Sequence, residues 1–424
     1  MGSRFNLFPV VRDEHGAPWA EAMVYLLSRL QGTVLPNMGT YKGVANDLAA
    51  FRQYIDETGI DWTAFGKNKL LRPTYRYNAH LILAVRAGEL ASTTARRRMA
   101  AAVAFYRWLI EEKVISPEHT PWKDSDRFIE ISDGRGAKVT KRVKTTDVAI
   151  KVFKENDPYT TEIDDGGKLR PLPKDEQQWV LEALLAIGNT ELTLIHLLAL
   201  LTGARIQTVL TIRVGHILQE RSLGDHEEVR IPVGHGTGID TKNDKQMVLH
   251  IPARLYRALC AYAESDRAAR RRRRAKGGDI LEQYLFLSIR GKPLYESKAE
   301  AVQYDNDNSV RHAKAGQSVR QLITDCVLPY VRRHNSPTFH YRFHDMRASF
   351  GMNLTDMQLQ LVATGEITLH EAREYVKVRM GHESSATTDL YLQYRGKLKF
   401  NRRVNDAYGE HLETLITKAL GARA

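Results

Sequence analysis

Residues 192–212 read LTLIHLLALLTGARIQTVLTI. A stretch this apolar must lie inside a folded domain, as helices buried on more than one face. Its one permanent cation is Arg205, surrounded by Leu200, Leu201, Ile206, Val209, Leu210 and Ile212. A guanidinium in such a setting needs an anion, because burying a charge alone is costly. Either a bound anion or a structural ion pair satisfies that need.

The flanking sequence sets the organisation. Residues 1–17 read as a tail. Residues 18–115 read as a helical domain. Tyr41, Val44, Leu48, Phe51 and Tyr54 recur at spacings of three and four, the period of a one-sided helix. Met99, Val103, Phe105, Tyr106, Leu109 and Ile110 do the same in a second helix, with Ser92, Thr93 and Thr94 as cap candidates. Arg96, Arg97 and Arg98 crowd the start of that helix, the end where the dipole disfavours cations. They form either a phosphate contact or a solvated basic turn.

Residues 116–174 are polar, with Pro and Gly punctuation in NDPYTTEIDDGGKLRPLPKDE, and read as a linker with some extended structure. A second domain spans 175–424, with insertions near 265–336 and an amphipathic C-terminal helix at about 407–420. Within it EVRIPV (228–233) and QMVLHIP (246–252) alternate as strands do, so they predict a β-hairpin with a long tip. The fold class is therefore mainly α with a small β-hairpin: a helical domain followed by an α+β domain.

Sixty-two Lys and Arg against fifty Asp and Glu give a formal charge of +12 over 424 residues. That surplus favours a polyanionic partner, nucleic acid first. Residues 266–278, DRAARRRRRAKGG, hold seven basic residues, Arg270, Arg271, Arg272, Arg273 and Arg274 among them. They read as either a solvated loop or a grip on phosphates. Cys260 and Cys326 are far apart and in no CxxC pair, which predicts neither disulfide nor zinc site. No apolar run reaches the length of a membrane span, and the N-terminus MGSRFNLFPVV lacks a long apolar secretion signal. Asn6 stands where a myristoylation signal wants Ser or Thr. The expected location is cytoplasmic.

Two further islands carry titratable groups. In FHYRFHDMRASFGMNL, His344 and Arg347 are i and i+3 and share a helix face. In MGHESSATTDLYLQY, Gly381 ends one element, His382 follows, and Ser384 or Ser385 can cap a helix carrying Tyr391 and Tyr394.

Taken in order, TGARIQTVL, TKNDKQMVLHIP, HDMR and MGHESSATTDLY resemble the motifs of the tyrosine recombinase (phage integrase) family. The resemblance covers roughly 175–400, and more loosely the helical core-binding domain at 18–115. It implies a site-specific DNA recombinase or integrase working through a 3′-phosphotyrosyl intermediate, without cofactor or metal. By resemblance, Arg205 and Arg347 hold the scissile phosphate, and Lys242 protonates the leaving 5′-oxygen. His344 assists proton transfer, His382 binds a phosphate oxygen and supports the next helix, and Tyr391 is the nucleophile. It further implies duplex DNA as partner, a tetramer on two sites, accessory DNA-bending proteins and a nucleoid-associated location. The C-terminal helix would dock on a neighbouring protomer.

The chemistry agrees. Planar guanidinium forks neutralise nonbridging oxygens, and a phenol with an ordinary pKa near 10 needs nearby cations to ionise. Tyr391 is preferred to Tyr394 because it lies nine residues after His382. Lys242 is preferred to Lys245 in the same hairpin tip. Thr208 departs from the family, which carries an acid three residues after the first arginine. Two other classes compete: a non-catalytic DNA-binding protein on the same fold, and a related type IB topoisomerase or telomere resolvase.

Overall fold

The structure, a computed structural model, describes residues 5–33, 36–132, 138–152, 162–219, 227–302 and 314–396. The expected helix at 407–420 lies outside them. The chain divides into two units, 1–156 with 298–312, and 157–297 with 313–424.

Among the described residues of the first unit, α1 (Ala20–Ser28), α2 (Met38–Thr58), α3 (Pro73–Arg86) and α4 (Ser92–Glu111) pack together. Their shared core is aromatic. Trp19 meets Phe105 edge-on at 5.0 Å, and Phe51 meets Tyr77 at 4.8 Å. The apolar stripe of α4 is buried as its spacing requires, with Met99, Phe105, Tyr106 and Leu109 each at 1% exposure or less. The cap of α4 differs from expectation: Ala91 holds the N-cap position and no side chain bonds there. The helix start is held instead by an ion pair, Arg97 to the buried Asp47 at 2.9 Å. Residues 116–174, expected as a linker with some extended structure, include paired strands. Strands β1 (Asp124–Ser132) and β2 (Lys138–Thr146) pair antiparallel within the first unit.

The second unit opens with a very short hairpin, β3 (Ile163–Asp164) and β4 (Lys168–Leu169). Helices α5 (Lys174–Ile187) and α6 (Thr190–Thr202) follow. α6 is buried almost all round, Leu192, Ile195, Leu198 and Ala199 being at 1% exposure or less, as the apolar run demanded. Gly203 ends α6 at φ +69, a left-handed conformation suited to glycine. The short α7 (Ile206–Leu210) then starts with Arg205 at its N-cap, and α8 (Val214–Ile217) follows.

β5 (Glu228–Val233) pairs antiparallel with β6 (Met247–Pro252), and Val229, Ile231, Leu249 and Ile251 turn inward. The expected hairpin and long tip are present. α9 (Ala253–Glu264) and α10 (Asp266–Arg273) come next. The arginine run is thus a helix. Ser265 caps it by accepting from the Ala268 N–H, and the arginines occupy its C-terminal half, where the dipole favours cations.

A continuous helical run, α11, joins Gln317–Leu322, a π-turn at Ile323–Val327 and Leu328–His334. Helix α12 (Asp345–Ala363) is followed by α13 (Leu369–Met380), opened by a Thr368–Glu371 capping box and closed by Gly381. Residues 385–396 form the last described helix, α14, where Ser384 Oγ accepts from the Ala386 N–H at 3.2 Å. No helix among the described residues is long and apolar enough to cross a membrane.

Candidate active site

Arg347 is on the first turn of α12 with 1% of its surface exposed. Each face of its guanidinium fork is used. Nε donates to Asp165 Oδ2 at 2.8 Å, Nη1 to the Gly203 carbonyl at 2.9 Å and Nη2 to the Met380 carbonyl at 2.8 Å. The fork therefore ties the ends of α6 and α13 together and aims its remaining face at a single carboxylate. Gly203 is needed twice over, since a β-carbon there would lie 2.5 Å from the Phe350 ring.

Arg205 reaches the same group. Its Nη2 is 3.6 Å from Asp165 Oδ1. Burial, and then the like charge of Arg347, bring its pKa down to about 10. The sequence left a bound anion and an ion pair open for this arginine, and Asp165 is its ion-pair partner here.

His382 follows Gly381, the C-cap of α13. Its Nδ1 is 2.9 Å from Thr388 Oγ1, and its Nε2 is 3.3 Å from Asp165 Oδ2. The ring stacks on Tyr391 with centroids 5.7 Å apart, which couples the turn to α14.

Tyr391 is fully buried, at 0% exposure, and its hydroxyl donates to Asp165 Oδ2 at 3.0 Å. Room for its ring comes from α12: a β-carbon on Gly351 would lie 2.4 Å from Tyr391 Cε1. Burial and then the Asp165 charge raise the phenol well above its ordinary pKa, against the pull of Arg347 and Arg205. Tyr394 is half-buried against the same small core as Phe350 and Met380.

His344 is the N-cap of α12. Burial, then Arg205 and Arg347, lower its pKa to about 4, so it is neutral at pH 7. Lys242 sits in the tip between β5 and β6. Its Nζ would be 2.9 Å from a β-carbon on Gly166, and Arg205 Nη2 4.0 Å from the same point. Lys245 instead faces Glu383 at 3.8 Å.

Four of the six residues singled out in the sequence, Arg205, Arg347, His382 and Tyr391, therefore meet one group that the sequence did not point to, Asp165. Burial disfavours its charge, yet the hydrogen bond from His382 and the charges of Arg347 and Arg205 hold it well below the usual carboxylate range. Its only signal was the Asp-Asp-Gly-Gly of residues 164–167, a turn motif between two apolar residues. Thr208 is buried, so the carboxylate facing the arginines comes from the β3–β4 turn rather than from α7.

The basic runs divide. Arg271 donates to the Leu287 carbonyl and pairs with Glu191 at 3.0 Å. Arg272 is 6% exposed and is bound to Asp279 and the Ala263 carbonyl. Arg274 donates to the Ile289 carbonyl. Arg271 and Arg272, both candidates for DNA contact, use their guanidiniums to hold α10 to the domain. Arg270 and Arg273 are exposed, as are Arg96 and Arg97, while Arg98 is half-buried.

Comparison with protein-family models finds no match, and comparison with curated proteins finds none. Solved structures do resemble the chain. XerH site-specific recombinase bound to a palindromic difH substrate, a post-cleavage complex, is 14% identical with a TM-score of 0.48, over 91% of this chain and 86% of that one. A lambda integrase dimer bound to a COC′ core site is 14% identical with a TM-score of 0.46, over 89% and 77%. The Tn1549 transposon integrase with circular intermediate DNA is 12% identical with a TM-score of 0.46, over 88% and 94%. Likeness at this level places no residue of the site, whose chemistry is read from its own geometry.

Proposed function

We propose that this chain is a tyrosine-type site-specific DNA recombinase or integrase, a strand transferase that cuts and rejoins duplex DNA. The observation that carries the reading is the convergence of Arg205, Arg347, His382 and the Tyr391 hydroxyl on one anionic group. Arginine forks and a histidine aimed at one oxyanion suit phosphoryl transfer, and a hydroxyl in that shell supports the reading of Tyr391 as nucleophile.

In the reaction, the Tyr391 oxygen bonds to the scissile phosphorus and the bond from phosphorus to the 5′-oxygen breaks. Lys242 gives that oxygen its proton. The phenolic proton leaves as the bond to phosphorus forms, with His344 assisting its transfer to solvent. Arg205 and Arg347 neutralise the nonbridging oxygens, and His382 binds one of them while its ring steadies α14. The 3′-phosphotyrosyl bond conserves the phosphodiester energy, so a 5′-hydroxyl from another strand can reverse the step without ATP.

Duplex DNA is the substrate. Four protomers on two sites, accessory DNA-bending proteins and a cytoplasmic, nucleoid-associated setting complete the proposal. Arg96, Arg98, Arg270 and Arg273 are the basic-run residues assigned here to the DNA backbone, while Arg97 and Arg274 also hold local partners.

The test is a nicked suicide duplex carrying the ends of the DNA element that encodes this chain. Wild type gives a denaturant-resistant protein–DNA adduct, Tyr394→Phe keeps it and Tyr391→Phe loses it. An adduct that survives Tyr391→Phe removes the assigned nucleophile. Tight binding with no adduct from wild type supports the non-catalytic DNA-binding alternative.

A further inference from the structure

We infer that the Asp165–Gly166–Gly167 turn is an internal occupant of the phosphate site, a strap that must withdraw before the Tyr391 hydroxyl can meet DNA. The inference rests on the strand-transfer reading above.

The geometry leaves one place for two anions. Asp165 Oδ2 is held by Arg347 Nε at 2.8 Å, the Tyr391 hydroxyl at 3.0 Å and His382 Nε2 at 3.3 Å, while Oδ1 faces Arg205 at 3.6 Å. A carboxylate offers two oxygens on one trigonal carbon. A phosphodiester offers two nonbridging oxygens on one phosphorus. The turn thus presents the same paired acceptors to the same donors. For attack, phosphorus must approach the tyrosine oxygen to about 3–3.5 Å, which is the space the carboxylate fills. Tyr391 has no exposed surface with the turn in place.

The turn covers the proton donor as well. Gly166 adopts φ +72, and a β-carbon there would come within 2.9 Å of Lys242 Nζ. Glycine both permits the left-handed backbone and lets the chain press against Lys242. Gly167 follows at φ +152, a second conformation open mainly to glycine.

The strap is also built to move locally. Its ladder is two residue pairs long, Ile163 with Leu169 and Asp164 with Lys168. Below the turn it is fastened. Ile163 and Leu169 are buried, the Arg170 N–H donates to Asp345 Oδ1 at 3.1 Å, and Arg342 donates to the Lys168 carbonyl. Those anchors keep the turn near the site in either arrangement. An incoming phosphate supplies a replacement anion for the same cations, so withdrawal does not leave them unpaired. When only a fraction of molecules has the site open, apparent affinity and rate fall by that fraction.

The experiment uses full-length wild type, Asp165→Asn and Asp165→Ala, with inorganic sulfate and the nicked suicide duplex as probes. Asp165→Ala is expected to bind sulfate about tenfold more tightly than wild type, and both variants to form the adduct about tenfold faster in a single turnover. Adding Arg205→Ala to Asp165→Ala abolishes the gain in sulfate binding. Slower adduct formation by both variants overturns the strap and makes Asp165 a fixed buttress. So does unchanged sulfate affinity, or a loss of folding that sulfate does not reverse. If wild type and both variants give no adduct, and the sulfate gain survives Arg205→Ala, the strand-transfer reading fails instead.

Discussion

Two regions of this protein concentrate arginine, and they use it in opposite ways. In α10 the arginines are consecutive, and several take separate local acceptors: Glu191 and the Leu287 carbonyl for Arg271, Asp279 and the Ala263 carbonyl for Arg272, the Ile289 carbonyl for Arg274. Around Asp165, Arg205 and Arg347 are 142 residues apart in sequence yet share one carboxylate. The first arrangement fastens a helix. The second makes an anion site, because burial and the like charge of Arg347 both disfavour the charged form of Arg205, and an anion between the two relieves that cost. Convergence marks the site; local density of cations does not.

Removing a guanidinium from each region breaks the comparison most sharply. Arg347→Ala leaves a buried carboxylate and two carbonyls without their donor, and is expected to cost about 3–5 kcal/mol of stability as well as the adduct. Denaturant unfolding checks the first and the suicide duplex the second. Arg205→Ala is expected to slow adduct formation by roughly 10²–10³. It should cost under about 1 kcal/mol of stability, since its ion pair is long and lies beside a like charge. If both arginines act equally on stability, their division of labour is wrong.

Arg272→Ala should lower stability by about 2–3 kcal/mol by removing a buried charged hydrogen bond. DNA affinity of the folded protein should hold, as a filter-binding titration would record. A uniform loss of affinity would return Arg272 to the DNA interface.

Acid separates the two carboxylate settings. Asp165 has a folded pKa depressed below its unfolded value near 3.9. Its ionisation therefore adds stability above about pH 4, and that part is lost as pH falls further. Between pH 5 and 3, wild type should lose more stability than Asp165→Asn, as urea unfolding at each pH would show. Parallel curves would mean that Asp165 is not held as an ion.

The smallest effects belong to the exposed arginines. Arg270→Ser and Arg273→Ser should leave stability within about 0.5 kcal/mol. Each should flatten the salt dependence of DNA binding by about one unit of slope if it contacts a phosphate. An unchanged slope would mark these side chains as bystanders.

The candidate site residues were brought together by the resemblance, from islands that each stood out only weakly alone. Arg205 is a lone cation in an apolar run, His344 and Arg347 share a face, and His382 and Tyr391 sit either side of a cap. Asp165 was not legible, since an Asp-Gly-Gly turn in a polar stretch is ordinary on the surface. Gly351 was equally silent: its role is to leave a hole for a ring forty residues on. The strands at 124–132 and 138–146 fell within what was expected to be a linker with some extended structure, because charged residues outnumber apolar ones in each.

By itself, the sequence determined the helical periodicity of both units, the burial of α6, the β5–β6 hairpin and the chemical identity of the groups around the site. Those follow from short-range pattern, since apolar spacing and capping act within a few residues. The tertiary structure alone decided that a carboxylate from residue 165 meets a guanidinium from residue 347 and a phenol from residue 391. It also decided that Arg271 and Arg272 turn inward. Charges choose partners by distance in space, over which sequence separation has no control.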